Sequence, residues 1–135
     1  MNQYTQQKFV GERALFQSRD LELSYCTFAD GESPLKESKN LKIENCLFQW
    51  KYPLWYCRNV EVKHSTMFEM ARAGIWYTDH ISMEDITYQA PKGFRRCKDV
   101  VLKDINFPNA AETLWNCSQV KMQNVTAKGD YFAMG

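Results

Sequence analysis

A chain of 135 residues with 17 basic and 16 acidic side chains has a net charge of +1 and the length of one domain. This balance gives no reason to expect a nucleic acid or an anionic membrane as partner, and the 44% of hydrophobic residues excludes wholesale disorder. The polar start of the chain lacks the apolar core of a signal peptide, and no run approaches the ~18 apolar residues of a membrane helix. We therefore expect a cytoplasmic protein, unless a leader has been removed.

The chain is dominated by a repeat of about 20 residues. Each copy has apolar side chains at offsets 0, 2, 5 and 7, as in LELSYCTF and LKIENCLF. This spacing predicts two short strands joined at a corner, because strands alternate with a period of two whereas a helical stripe has a period of 3.6. The residues that open the copies are Leu21, Leu41, Val60, Ile81, Val100 and Val120. A third inward segment follows after a variable loop and is anchored by Leu35, Leu54, Ile75, Phe94, Leu114 and Phe132.

Three short strands in each repeat predict an all-β fold, a single-stranded parallel β-helix of about six coils. We expect residues 1–18 to form a capping segment and the strand that leads into the coils, with polar residues 1–14 draped over the first coil, and residues 19–135 to form the coils. Outward charges support in-register stacking, since opposite signs alternate from coil to coil. The two alternating rows are Glu22, Lys42, Glu61 and Glu44, Lys63, Glu84, Lys103.

A pentapeptide repeat is the competing interpretation of the same pattern. Asn40 and Asn45 precede apolar residues that lie five positions apart. The five-residue step does not continue into the third segment, which favours the β-helix.

The cysteines are predicted to be reduced core thiols, because free cysteine behaves as a small hydrophobic residue. Five cysteines cannot all pair as disulfides within one chain. They occupy two positions of the repeat, one shared by Cys26 and Cys46 and the other by Cys57, Cys97 and Cys117. Neither a CxxC motif nor a Cys/His cluster with zinc spacing occurs, so we expect no metal and no cofactor.

Several segments are similar to a known family. FVGERALF, from Phe9 to Phe16, resembles the start of an uncharacterised bacterial domain family of the pectin-lyase-like, right-handed β-helix type, and LWYCRNVEV and LWNCSQVKM resemble its coils. The resemblance extends from Phe9 over nearly the whole chain and implies a right-handed helix, but it implies no activity and no catalytic residues. Members usually continue for further coils, so the sequence resembles a fragment or a truncated product. The open last coil then predicts end-to-end self-association.

The third segment is the best candidate for a binding surface. Exposed Trp and Tyr side chains suit stacking against sugar rings, and the coil spacing of about 4.8 Å is similar to the length of a sugar residue. The row after the anchors is Phe16, Lys36, Trp55, Trp76, Arg95, Trp115 and Ala133, and the next row is Gln17, Glu37, Tyr56, Tyr77, Arg96, Asn116 and Met134. We predict a glycan-binding surface made of Trp55, Tyr56, Trp76, Tyr77, Arg95 and Trp115. A purely structural ladder and a protein interface are the alternatives.

A second candidate site lies at the corner between the first two strands. Asp85 and Asp104 occupy the same position in consecutive coils, so their carboxyl groups could approach the ~5–5.5 Å separation of retaining glycosidases. His64, one coil away, could share a proton relay. Asn and Asp also suit a left-handed turn at such a corner, without any catalysis, and His80 occupies a similar turn position. The leading prediction is therefore a non-catalytic carbohydrate-binding or scaffold module, with a polysaccharide hydrolase or lyase and a structural or protein-interaction domain as alternatives.

Overall fold

The computed structural model describes residues 2–130 and 132–133, whose regular secondary structure is entirely β-strand. The strands are β1 Asn2–Thr5, β2 Lys8–Phe9, β3 Arg19–Ser24, β4 Thr27–Phe28, β5 Lys39–Glu44, β6 Leu47–Phe48, β7 Leu54–Trp55, β8 Arg58–Met67, β9 Ile75–Trp76, β10 Asp79–Tyr88, β11 Phe94–Arg95, β12 Lys98–Phe107 and β13 Ser118–Ala127.

The strands stack in parallel, one coil above the next. The main sheet has the order β1-β3-β5-β8-β10-β12-β13, while β7, β9 and β11 form a separate three-stranded sheet. The register joins equivalent repeat positions, since Leu41 pairs with Leu21 below it and with Val60 above it. Seven strands in one ladder span about six turns, so the predicted right-handed parallel β-helix is confirmed. The predicted charge rows are also in register, with Lys63 beside both Glu44 and Glu84.

Each coil turns at four corners, and at each corner one residue has a left-handed backbone with φ between 48° and 64°. We number the corners in chain order around the coil, starting with the one at the second residue of the main strand. Corner 1 is Asp20, Asn40, Asn59, His80, Asp99 and Gln119; corner 2 is Tyr25, Asn45, His64, Asp85, Asp104 and Asn124; corner 3 is Arg13, Ser33, Tyr52, Ala73, Lys92 and Glu112; corner 4 is Gln17, Glu37, Tyr56, Tyr77, Arg96 and Asn116. Corners 1 and 2 are rich in Asn and Asp, which tolerate this conformation best among residues with a side chain.

The four corners divide each coil into four sides. Side 1 is the middle of the main strand, which in β8, β10, β12 and β13 continues through corner 2 onto side 2, and side 3 carries the short strands β7, β9 and β11. Side chains at the predicted inward positions are buried from Leu21 to Leu114. Aromatic rings stack inside as well, with Phe28 5.0 Å from Phe48 and 5.1 Å from Phe9 between ring centroids. The core is therefore a set of columns parallel to the coil axis.

The N-terminal segment differs from the prediction. Instead of draping over the first coil, residues 2–9 form β1 and β2, which pair in register with β3 and β4. Their polar sequence reflects partial burial, because Tyr4 and Phe9 pack on the core from one side only. The division of the chain at residue 18 stays a prediction.

The cysteines lie where the repeat placed them. Cys26, Cys46, Cys57 and Cys97 are buried and free, and Cys117 is half-buried. The Cys57 thiol donates a hydrogen bond to the Leu35 carbonyl oxygen at 3.1 Å. Burial raises the pKa of Cys57 to about 12 and that of Cys46 to about 11, so both thiols stay protonated at neutral pH.

Tyr88 is expected to be less favourable than Phe at its position. Its ring is fully buried, and its hydroxyl has no hydrogen-bond partner among the described residues. Because a buried hydroxyl without a partner costs about 1–3 kcal/mol, we expect Tyr88→Phe to raise the free energy of unfolding by about 1 kcal/mol. Urea unfolding followed by circular dichroism measures the change. A loss of stability would show that the hydroxyl is satisfied in solution.

Candidate functional site

The aromatic ladder is a continuous stack along side 3, made of Trp55, Trp76, Arg95 and Trp115. The indole rings of Trp55 and Trp76 are nearly parallel, at 5° and 5.0 Å between centroids. The Arg95 guanidinium lies between two rings, 4.4 Å from the centroid of Trp76 and 5.0 Å from that of Trp115. The structure therefore brings together the four residues of this row that belong to the predicted glycan-binding surface.

The stacking determines which part of each indole a ligand can reach. One face of Trp76 is covered by Trp55 and the other by Arg95. The indole nitrogens of Trp55 and Trp76 donate hydrogen bonds to the backbone carbonyls of Ala73 and Lys92. These contacts leave ring edges facing outward, so a sugar cannot stack on the face of Trp76 in the way that the sequence suggested. Ring edges carry the positive end of the aromatic quadrupole and suit contact with oxygen atoms.

The neighbouring row is a second stack at corner 4. The rings of Tyr56 and Tyr77 are 4.9 Å apart and inclined by 3°, and the two side chains are 50% and 38% exposed. Lys36 lies over the other side of Tyr56, at 5.9 Å. Among the further members of this row, Met134 lies outside the described residues. The two tyrosines are thus the most exposed aromatic groups of the predicted surface.

A groove runs beside the ladder, and sequence reasoning did not find it. Its volume is about 370 Å³, and its lining consists of Lys51, Tyr52, Trp55, Arg72, Ala73, Trp76, Pro91 and Lys92. The small Ala73 stands at corner 3 between the larger Tyr52 and Lys92, which leaves a hollow between them. The sequence carried no signal for it, because the residues of corner 3 share no residue type by which the variable loops could be aligned.

The candidate catalytic carboxylates lie at corner 2, as predicted, with left-handed φ values of 56° for Asp85 and 55° for Asp104. Each has its own partner: His64 Nδ1 lies 2.7 Å from Asp85 Oδ2, and Asn124 donates a hydrogen bond of 2.7 Å to Asp104 Oδ1. Similar side-chain bonds join the residues of corner 1, including His80 with Asp99 at 2.6 Å. These pairs connect consecutive coils, as expected of a structural corner, and the catalytic role stays untested.

His64 gives a direct test of the corner 2 pair. The hydrogen bond to Asp85 raises the pKa of His64 above its ordinary value of 6.5. A raised pKa means that the charged pair persists below the new pKa and is lost as the pH rises through it. We expect Asp85→Asn to lower the His64 pKa towards 6.5, with little effect on stability because the pair is exposed. Nuclear magnetic resonance titration of the two imidazoles measures this, with His80 as the internal control. An unchanged His64 pKa in the variant would contradict the pairing.

No three His, Cys, Asp or Glu side chains within residues 2–130 and 132–133 converge as metal ligands would. The same part of the chain contains no helix long and apolar enough to span a membrane.

The last strand, β13, is the most exposed of the main sheet. Val120 and Val125 are only partly buried, and Met122 is 49% exposed. Phe132 packs beside Phe107, with 6.2 Å between ring centroids. End-to-end self-association through this coil stays a prediction, which sedimentation velocity over a range of protein concentrations would test.

One solved structure has a similar fold at very low identity. A protein of Parabacteroides merdae described as a "putative glycosyl hydrolase" is 8% identical, with a TM-score of 0.51 over 91% of this chain and 77% of that one. QnrB1, a plasmid-mediated fluoroquinolone resistance protein, is 12% identical, with a TM-score of 0.46 over 98% of this chain and 72% of that one. No curated protein sequence matches the chain.

The family comparison covers nearly all of the sequence. A family described as "Protein of unknown function (DUF3737)" matches residues 2–135. This match confirms the resemblance to an uncharacterised family, and the chain, itself a parallel β-helix, belongs to the DUF3737 family.

Proposed function

We propose that the protein is a non-catalytic carbohydrate-binding module, in which a polysaccharide chain lies along the coil axis over the ladder and its groove. The observation that carries this proposal is the regular row of Trp55, Trp76, Arg95 and Trp115, in which successive groups are 4.4 to 5.0 Å apart. A straight row with this repeat offers equivalent contacts to successive units of a polymer.

The mode of binding differs from ring stacking. Because the faces of Trp76 are covered, the ligand would contact the indole edges and the hydroxyl groups of Tyr56 and Tyr77. The groove beside Trp55 adds a concave surface of about 370 Å³. Binding sites for small ligands are typically concave and largely formed in advance, and the stacked rings make this surface rigid.

Intrinsic tryptophan fluorescence, titrated with a panel of soluble polysaccharides, tests the proposal. Three of the four tryptophans belong to the ladder, so a bound glycan should give a saturable change in emission. The change should be lost in Trp76→Ala, weakened in Tyr77→Ala and kept in Trp50→Phe, which alters the tryptophan outside the ladder. Tyr77 is exposed, so its variant keeps the test valid if Trp76→Ala fails to fold. A folded protein that responds to no glycan would overturn the proposal.

A further inference from the structure

The positive charge of the protein is concentrated beside the ladder. Sides 3 and 4, with corner 4 between them, consist of residues 14–19, 34–39, 53–58, 74–79, 93–98 and 113–118. These segments contain seven basic residues and two acidic ones, although the whole chain has 17 basic and 16 acidic. The basic residues are Arg19, Lys36, Lys39, Arg58, Arg95, Arg96 and Lys98. The rest of the chain therefore carries ten basic and 14 acidic residues, and the near-neutral total conceals a basic face.

The basic face is not neutralised from within. None of its seven basic side chains forms an ion pair with another described residue, whereas five ion pairs occur elsewhere in the described chain. Asp79 lies between Arg58 and Lys98 in the strand register but pairs with neither. Seven like charges on one face repel each other, so their proximity favours an anionic ligand.

The groove beside the ladder is also lined by basic side chains. Lys51, Arg72 and Lys92 line it, and no carboxylate does. Lys51 and Lys92 each have an acidic partner, at 3.5 Å from Glu32 and 3.7 Å from Glu112. Arg72 is exposed and has no ion-pair partner in the described part of the chain.

We propose that the ligand of the ladder is an acidic polysaccharide, whose carboxylate or sulfate groups are held by the cations of the basic face. This inference rests on the proposed carbohydrate-binding function and names its ligand class. Arg58, Arg96 and Lys98 are exposed. Arg96 follows Tyr56 and Tyr77 at corner 4, and Arg58 and Lys98 lie just beyond that corner on side 4, so anionic groups spaced along a polymer can reach several of them. The outward edges of Trp55 and Trp76 also favour an anionic ligand, because the positive edge of an aromatic ring attracts oxygen atoms.

A single-stranded nucleic acid is the other polyanion to consider. Proteins bind it by stacking its bases on exposed aromatic faces. On this ladder Trp76 is covered on both sides, and Tyr56 and Tyr77 cover each other. The geometry therefore favours a ligand that is recognised through its charges and oxygen atoms.

The test uses one polymer backbone with three charge states: dextran, carboxymethyl-dextran and dextran sulfate. Calorimetric titration of the full chain should show binding to one or both charged forms and little to dextran. The two charged forms distinguish carboxylate from sulfate recognition. Raising the salt concentration from about 50 to about 200 mM should weaken binding several-fold, since the contacts are exposed to solvent.

Matched variants locate the binding. We expect the double variant Arg58→Gln, Arg96→Gln to bind the charged dextrans about fivefold or more weakly. Lys42→Gln with Lys103→Gln removes the same charge from side 1 and should have little effect. Asp79→Asn removes a negative charge between two cations and should strengthen binding. The four basic side chains are exposed and Asp79 is half-buried without an ion-pair partner among the described residues, so we expect folding to be preserved.

The contrary outcomes separate the two proposals. Equal binding of neutral dextran, insensitive to salt, would overturn the acidic ligand and leave the carbohydrate-binding function standing. Binding of poly-L-glutamate or poly(dA) as tight as that of the charged dextrans would show general polyanion binding and would also overturn the inference. A folded protein that binds none of the three dextrans would count against both.

Discussion

Replacement of Phe48 by Ala is expected to lower the free energy of unfolding by about 3–5 kcal/mol. The Phe48 side chain is fully buried, and its ring stacks on Phe28 at 5.0 Å with an inclination of 3°. Truncation would leave a cavity in the middle of a column, where the hydrogen-bonded coils above and below cannot close the gap. Urea unfolding followed by circular dichroism measures the effect.

The neighbouring Leu47 provides the control. Leu47 shares the strand β6 but points outward, and it is 36% exposed. Leu47→Ala should therefore cost less than about 1 kcal/mol. Similar losses in the two variants would contradict the alternation of inward and outward side chains on which the fold assignment depends.

Gly31→Ala is the second substitution with a large expected effect. A Cβ atom on Gly31 would overlap the carbonyl group of Gly11 in the neighbouring coil, and the φ of Gly31 is +155°. Backbone strain costs about 1–3 kcal/mol, and displacement of the neighbouring coil adds an amount of similar size. We therefore expect a loss of about 3–4 kcal/mol in the free energy of unfolding.

Gly11→Ala separates the two contributions. Gly11 has a φ of +98°, but no atom lies within 4 Å of the position that a Cβ atom would take there, so only the strain of about 1–3 kcal/mol applies. Thermal unfolding of both variants gives the comparison. If Gly31→Ala lowered the free energy of unfolding no more than Gly11→Ala does, the result would contradict the close approach of the first two loops.

The repeat in the sequence was sufficient to predict the stacked coils, because each inward position is occupied by the same kind of side chain in every copy. Asn45 and Asp85 mark corner 2 by residue type alone, since both residues suit a left-handed backbone. Corner 3 could not be predicted in this way. Its members include Tyr52, Ala73 and Lys92, whose side chains have no such preference, so stacking between coils must impose the conformation.

The sequence predicted which residues of the candidate site share one row, but it did not predict how their rings are oriented. The spacing of the repeat placed Trp55, Trp76 and Trp115 in one line. It did not show that Arg95 inserts between two of the rings or that the rings cover each other's faces. Ring orientation depends on the side chains one coil away. The same is true of the basic face, which the near-neutral composition of the chain conceals.

The measurement that tests the proposed binding site most directly is a ¹H–¹⁵N correlation spectrum of the four indole N–H groups, recorded during titration with carboxymethyl-dextran oligosaccharides. Trp55 and Trp76 donate their indole hydrogens to backbone carbonyls beside the groove, so a ligand there should shift both signals. Trp50 lies outside the ladder, and its signal should stay in place. Shifts confined to Trp50, or binding without any indole shift, would contradict a ligand site on the ladder.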